Sequence, residues 1–441
     1  MTLIRLLKKR LALLSLGALA FGAAATAPAV RAQDGGALLN ALVRKGILSD
    51  QEAEDVRAEL AAESAAAVLQ TVSGGKSTNG INFTGRLQVQ YANLETTDER
   101  DATGQARVSH FFLRRVYIGM KGTLGANFTA DFNYDFAGAA FDKAYIRWAG
   151  SIGGAPFSFD AGFRKPNFGY EEYTSSGSLR AIERSGVTRY FAEDVNGRRL
   201  GSASYRVGLF ADYNPNAFAG KAAGFFAGAA LTNPERVATP ATIVNAGNDT
   251  TGKIAVWANA GYSGRAGAST TYLVGVAGAL LPGQGGVNST VGSGIKGRDI
   301  TQGAIYADVT AGKFQIAGEY LFAKVERGVS AGSTKDASVS GFWLQPAFKF
   351  NDTWELVGRY SRTDTGGRGI RAGDGVRSAT ATATAKCLDE YYLGANYCIV
   401  ATDVKLQLGY VGGRTSGALA SGGAVNKETV AGFRTQLQVN F

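Results

Sequence analysis

From Gly432 to Phe441 the chain alternates almost without error, with Phe433, Thr435, Leu437, Val439 and Phe441 on one face and Arg434, Gln436, Gln438 and Asn440 on the other. A strand that is apolar outside and hydrogen-bonding inside, and that ends on an aromatic ring, is the closing strand of a transmembrane β-barrel, with lipid against one face and a wet lumen against the other. A soluble sheet gains nothing from a terminal aromatic in that place. Phe441 is therefore expected to be the residue read by the barrel assembly machinery of the outer membrane.

Composition narrows the alternatives. A chain of 441 residues could form two or three soluble domains or one large barrel. Beyond the first thirty residues no segment approaches the run of about 18 apolar residues that a membrane helix needs. With 60 Gly, 8 Pro and 10% aromatic residues, the Tyr and Phe recurring at period two, the barrel is favoured. Lys8, Lys9 and Arg10 precede a Leu/Ala-rich stretch from Leu11 to Ala25, and Val30-Arg31-Ala32 offers small residues for cleavage. Residues 1–32 therefore read as a signal peptide. Its removal takes Arg5, Lys8, Lys9, Arg10 and Arg31 with it and lowers the formal charge from +10 to +5. Residues 33–76 have another character: Leu38, Leu39, Leu42 and Val43 recur at helical spacing, and Ser49 with Glu52 forms a capping box for a second helix. This segment is expected to be a short periplasmic helical hairpin or trimer stem, or else a loosely ordered amphipathic leader.

Residues 77–441 read as the barrel domain, because from Asn82 the period is two and stays two. Leu87, Val89 and Tyr91 oppose Arg86, Gln88 and Gln90, and Phe128, Ala130, Phe132 and Tyr134 oppose Thr129, Asp131, Asn133 and Asp135. Repeated to the end, the pattern gives sixteen antiparallel strands, the last over Thr429 to Phe441. Short turns near Leu124–Gly125, Gly264–Gly267, Ala311–Gly312 and Asn351–Asp352 alternate with long connections at Asn93–Ser109, Lys165–Arg199, Thr232–Gly252, Pro282–Thr301, Thr365–Lys386 and Gly413–Lys427. Short periplasmic turns and long extracellular loops give this rhythm. The fold class is all-β, a sixteen-stranded transmembrane barrel preceded by a short helical segment, and a barrel of that size is too wide for its side chains to fill.

The chemistry of such a lumen is electrostatic. Strand parity turns Arg86, Arg115, Lys121, Lys143, Arg147 and Arg164 inward against Asp131, Asp135 and Asp160, and places Arg114 on the lipid-facing parity as an interface residue. The long connection after the fifth strand adds Lys165, Arg180, Arg184, Arg189, Arg198 and Arg199 against Glu171, Glu172, Glu183, Glu193 and Asp194. If that loop folds into the barrel, rings of Arg and Lys would attract anions, and guanidinium groups would grip phosphate oxygens two at a time. For any one Arg the alternative is a salt bridge to a nearby carboxylate that pins the loop to the barrel, and for the Glu183–Arg184 pair it is an equal expectation.

Other chemistries lack their residues. His110 is the one histidine, so neither a His-dependent triad with a second His in reserve nor a His-rich metal site is available. No cofactor is called for, and nothing in the polar faces resembles an enzyme's nucleophile and base. Cys387 and Cys398 bracket one strand and would lie over about 30 Å apart, far beyond disulfide reach. The basic residues interleave with lipid-facing aromatics at period two, which is a pore-wall pattern and not a nucleic-acid surface.

The runs FFLRRVYIGMKGTLGANFTADFNYDF, KAYIRWAG, FDAGFRKPNFGYEEYTSSGSLRAIERS and VNGRRLGSASY, with YYLGANY near Tyr391, resemble the phosphate-selective porin O and P family. The resemblance implies a homotrimeric outer-membrane porin that passes small anions, phosphate or polyphosphate among them, through a constriction lined by Arg and Lys. The residues that would carry this are Arg115, Lys121, Lys143, Arg147, Arg164, Lys165, Arg180, Arg184 and Arg189. A general or sugar-permeable porin would be marked instead by a ladder of aromatics within the lumen. A structural role would make the barrel an anchor for the periplasmic segment.

Overall fold

The computed structural model describes residues 80–98, 101–193, 199–234, 253–284, 298–330, 333–381, 383–422 and 427–441. The chain divides into two units, 1–72 and 73–441, and the described residues belong to the second. The expected signal peptide, the helical segment of 33–76 and Arg198 lie outside the described residues.

Among the described residues, sixteen strands close into one antiparallel barrel. They are β1 (Gly80–Asp98), β2 (Asp101–Leu124), β3 (Phe128–Asp135), β4 (Ala140–Ile152), β5 (Ala155–Arg164), β6 (Arg206–Tyr213), β7 (Gly224–Thr232), β8 (Ala255–Ala266), β9 (Thr270–Gln284), β10 (Arg298–Ala311), β11 (Phe314–Val325), β12 (Ala337–Lys349), β13 (Trp354–Asp364), β16 (Cys387–Val400), β17 (Val404–Ser416) and β18 (Glu428–Asn440). The two-residue strands β14 (Ile370–Arg371) and β15 (Thr384–Ala385) pair within the loop that follows β13. Each barrel strand bonds its sequence neighbour and β18 bonds β1, so no strand edge is left open. The outward faces carry Phe132, Ile146, Phe159, Leu209, Val276, Ile305, Leu344, Leu393 and Leu437, all exposed and fit for lipid. Cys387 and Cys398 are both free and both lie on β16.

Closure follows from amide side chains in register. Gln88 opposes Gln438 and Gln90 opposes Gln436 across the seam, at side-chain hydrogen bonds of 2.6 and 2.8 Å. Gln436 donates to Gln407 at 2.7 Å, and Gln407 donates to Asn396 at 2.9 Å, so a buried ladder of amides crosses β1, β18, β17 and β16. Outside the same seam the Phe441 ring lies over Gly85, where a Cβ would come within 2.2 Å of it, and the two backbones exchange hydrogen bonds of 2.7 and 3.1 Å.

Three features depart from the alternation read in sequence. First, Asn93–Ser109 is not a long loop: β1 runs to Asp98 and β2 starts at Asp101, with Asn93 opposite Ser109 and Thr96 opposite Ala106. Its Thr-rich, charged residues pair as strands without an apolar face. Second, β6 begins only at Arg206, so the connection expected to end at Arg199 runs on to Tyr205. Third, a bulge interrupts β2: Gln88 faces Arg115, Val89 faces Leu113, and Arg114 is the extra residue. One inserted residue shifts the phase. Exposed Phe111 and Leu113 precede it, exposed Ile118 and Met120 follow it, and both Arg114 and Arg115 turn inward. Arg114 is thus a lumen residue, contrary to its expected place at the lipid interface. A second shift, between Asn133 and Tyr134 on β3, makes Asp142 the extra residue of β4.

The apolar core lies inside the barrel, between the inner face and the connection from β5 to β6. Phe168, Ile182, Val187, Tyr190, Phe191 and Leu200 from that connection are almost wholly buried, together with Trp257, Leu281, Ile300 and Trp343 from the barrel.

Candidate functional site in the barrel lumen

Among its described residues, the connection from Lys165 to Tyr205 holds two short helices, α1 (Tyr170–Tyr173) and α2 (Gly186–Ala192). Its described carboxylates pair with cations of the loop itself and of the barrel. Glu171 accepts from the Ser185 amide at 3.0 Å and its hydroxyl at 2.6 Å, while Ser185 caps α2 by accepting from the Thr188 amide. Glu319 on β11 accepts from the Tyr170 amide at 2.7 Å and from the Trp343 indole at 2.9 Å. Arg359 on β13 is buried and bridges Glu171 (2.9 Å), the Glu183 carbonyl (2.8 Å) and Glu390 on β16 (3.0 Å). Glu183 sits between Arg114 at 2.6 Å and Arg377 at 2.8 Å. Burial opposes its ionisation, yet Arg114, Arg377 and Arg115 outweigh burial and hold the carboxyl well below its ordinary value. Arg184 does not pair with Glu183; it binds Glu172 at 3.1 Å and the carbonyls of Glu171 and Thr174. A loop fixed by buried charges on both flanks holds one position.

Against the opposite face of the barrel this loop leaves a cavity of about 860 Å³. Lys143, Arg147, Arg164, Lys165, Arg180 and Arg184 line it, six of the residues expected from sequence, and Arg86 and Lys221 join them. The remaining three are elsewhere. Arg115 is buried beneath the loop and donates to Gln88 at 2.7 Å, and Arg189 is buried against Glu193 and the Gly375 carbonyl. Lys121 is exposed near the turn end of β2, outside the cavity lining.

The carboxylates stand behind the cations. Arg147 holds Asp160 through two bonds of 2.6 and 2.7 Å with side-chain exposures of 30% against 0%. Lys143 and Asp131, at 2.8 Å, are 35% and 12% exposed. Arg164 binds Asp160 and Asp212, each at 2.7 Å; Lys165 binds Glu172 at 2.6 Å; Arg180 pairs with Glu355. Of the acids, Asp142 and Asp308 reach the cavity lining, and both accept from tyrosines, Tyr205 and Tyr170. Burial, with Arg184 nearby, pushes the Lys165 ammonium down to about 8, though Glu172 and Asp142 favour its charge. Arg86 is held differently: it donates to Asn440 at 2.8 Å, Ser176 at 2.7 Å and Ser175 at 3.1 Å, with no carboxylate in salt-bridge range among the described residues. The hydroxyls of Thr174, Ser175, Ser176 and Ser178 line the cavity beside it, as do Tyr117, Tyr145, Tyr170, Tyr173 and Tyr205. The Thr-Ser-Ser-Gly-Ser run was visible in sequence as a cluster of donors; Asp142 and Asp308 had no local signal.

A closed sixteen-stranded barrel with an inward loop and a hydrated charged lumen defines a porin, a channel of the bacterial outer membrane. The chain belongs to the family described as phosphate-selective porin O and P, whose profile matches residues 81–441. No curated protein matches the chain in sequence. Among solved structures, it is similar in fold to an anion-selective porin from Comamonas acidovorans, at 13% identity over 82% of this chain and 100% of that one, with a TM-score of 0.52. It is also similar to Salmonella typhi OmpF in complex with daunomycin, at 14% identity over 82% and 98% of the two chains, with a TM-score of 0.50.

Proposed function

We propose that this porin passes small anions in preference to cations, with phosphate and polyphosphate the solutes it holds longest. The observation that carries the reading is the layering of charge: cations meet the water while Asp131, Asp160, Asp212, Glu172 and Glu355 lie behind them. A passing anion is nearer to the first layer than to the second, and in a confined lumen that difference in distance is weakly screened. Buried Arg115, Lys405 and Arg434, bonded to amide or carbonyl oxygens, add positive charge beneath the loop. The seat for phosphate is Arg86, Lys165 and Arg184 facing the hydroxyls of Thr174, Ser175, Ser176 and Ser178, which offer charge and neutral donors together. The family's description as phosphate-selective agrees with it.

The decisive measurement is a planar-bilayer reversal potential in a chloride gradient, with phosphate added as blocker. Wild type should favour chloride at low salt, and R86Q/K165Q should move the reversal potential towards cations and weaken phosphate block at least about tenfold, as expected for losing a hydrogen-bonded charge. A cation-selective wild-type channel would sink the reading. The tyrosines of the lining support a second one, a sugar-permeable porin, in which maltose and not phosphate would block the current.

By family resemblance we also read the protein as a homotrimer, with 77–441 as porin domain, 1–32 as signal peptide and 33–76 as periplasmic segment. Phe441, over Gly85 at the seam, is the proposed signal to the assembly machinery. F441S should reduce surface abundance while export persists; unchanged abundance and heat-modifiable mobility would refute that role.

A further inference from the structure

The two walls of the lumen cavity differ in kind. Its cations, Arg86, Lys143, Arg147, Arg164, Arg184 and Lys221 among them, come from β1, β4 and β5, from the inward loop and from the connection after β6. The strands β8 to β11 bring no cation to the lining among the described residues. They contribute the hydroxyls of Ser263, Thr271 and Thr310, the amide of Gln315 and one carboxylate, Asp308. Thr271, Thr310 and Gln315 are partners in register on β9, β10 and β11, so they form one row across two strand spacings, roughly 10 Å. Asp308 stands two residues from Thr310 on the same face of β10.

That wall is ill-suited to a bare anion. A carboxylate accepts hydrogen bonds and offers none, so Asp308 repels phosphate oxygens but can take a hydroxyl. Its Oδ2 accepts from the Tyr170 hydroxyl and, at 2.6 Å, from the Gln315 amide, while Oδ1 has no protein donor among the described residues and stays open to the cavity. The threonine hydroxyls both donate and accept, which suits partners that do the same. Beside them Tyr173 and Phe218, 4.4 Å apart ring to ring, add an apolar surface to the lining. The volume of about 860 Å³ lies in the range that takes a drug-sized molecule, far more than one phosphate fills.

We propose that among organic phosphates this cavity selects esters of polyhydroxylated compounds, that is, sugar phosphates. The phosphate sits on Arg86, Lys165 and Arg184, the hydroxyls meet Thr271, Thr310, Gln315 and Asp308, and the apolar face of the sugar ring lies against Tyr173 and Phe218. The proposal rests on the anion-passing reading of the same lumen and deepens it: one wall admits by charge, and the facing wall discriminates by hydroxyl groups.

The test uses the full chain in planar bilayers and reads block of the chloride current by glucose 6-phosphate, ethyl phosphate, inorganic phosphate and glucose. Ethyl phosphate carries the same charge as glucose 6-phosphate without the hydroxyls. Wild type should be blocked by glucose 6-phosphate at a concentration about tenfold lower than by ethyl phosphate, the gain expected from one or two net hydrogen bonds. T271V/T310V, close in shape but without the hydroxyls, should bring that ratio to about twofold and leave block by inorganic phosphate unchanged. D308N keeps an acceptor for Tyr170 and removes the charge; it should lower the same ratio while ethyl phosphate blocks at least as well as before. R86Q/K165Q should weaken block by both esters alike. Equal block by the two esters in wild type would overturn the proposal, as would a ratio that survives both T271V/T310V and D308N. Glucose blocking as well as its phosphate would overturn it in favour of the sugar-permeable porin. Block by none of the phosphates would overturn the anion reading itself, a result distinct from phosphate block without discrimination between esters.

Discussion

Two inner faces of this barrel solve the same problem in opposite ways. From β16 through β18 to β1, the inward face carries a chain of neutral amides, each bonded to the next, beside the buried charges of Glu390, Lys405 and Arg434, and the loop covers them with its own carbonyls: Ser176 accepts from Gln88, Gly177 from Gln438, and Arg180 from Asn396 and Gln407. From β3 to β6 the inward side chains are charged, and the loop meets them at its ends, Asn167 donating to Asp212 and Tyr205 to Asp142, leaving the cavity between. Amides can be buried once their donors and acceptors are matched, whereas exposed cations remain hydrated and ready for a solute. The loop has settled on the face that can be dried. The lumen is what remains on the face that cannot.

The strongest way to break this division is to remove the charge that fixes the loop. R359Q leaves Glu171 and Glu390 buried beside a neutral partner and should cost about 3–5 kcal/mol of loop attachment, the usual penalty for breaking a buried ion pair. Single-channel conductance should rise and become noisy, and the barrel should melt earlier in micelles. Conductance and melting equal to wild type would show that the loop is held by packing alone. A smaller effect is expected from Q436L, which removes the acceptor for Gln90 and the donor to Gln407. It should lower stability by about 1–3 kcal/mol while leaving the reversal potential alone. A shift in selectivity would mean that the neutral face also filters ions.

The smallest effect sharpens the charged face. Since the Lys165 ammonium titrates at about 8, it is charged below that pH and neutral above it. Chloride preference should therefore fall as pH rises from about 7 to about 9, and K165Q should show a smaller fall over that window, ending near the wild-type value at its alkaline end. An equal pH response in K165Q would assign the titration to another group.

What sequence disclosed and what it hid follow one physical boundary. Strands that meet lipid must alternate, so Phe128 to Tyr134 or Phe433 to Val439 could be placed from the residues alone. Where the pairing rises into polar surroundings, as at Glu95 and Thr96, both faces are polar and the alternation vanishes although the strand continues. The bulge at Arg114 was hidden for a related reason, since an extra residue changes phase without changing composition. In the lumen the excess of Arg and Lys was legible, but which of them face water was not. That depends on partners far along the chain: Arg114 meets Glu183, and Arg359 meets both Glu171 and Glu390. Arg115 and Arg189 share the residue type of Arg147 and Arg164 yet do not reach the cavity, because Arg115 lies under the loop and Arg189 is buried within it.

The buried ion pairs that seat the loop have one more consequence. Dissolved salt barely reaches charges such as Arg359, Glu171 and Glu183, whereas it freely screens those that face the lumen. Dimension and discrimination are therefore uncoupled: a bacterium moving from fresh to brackish water keeps an aperture of fixed size, while the strength of its ionic filter rises and falls with the medium.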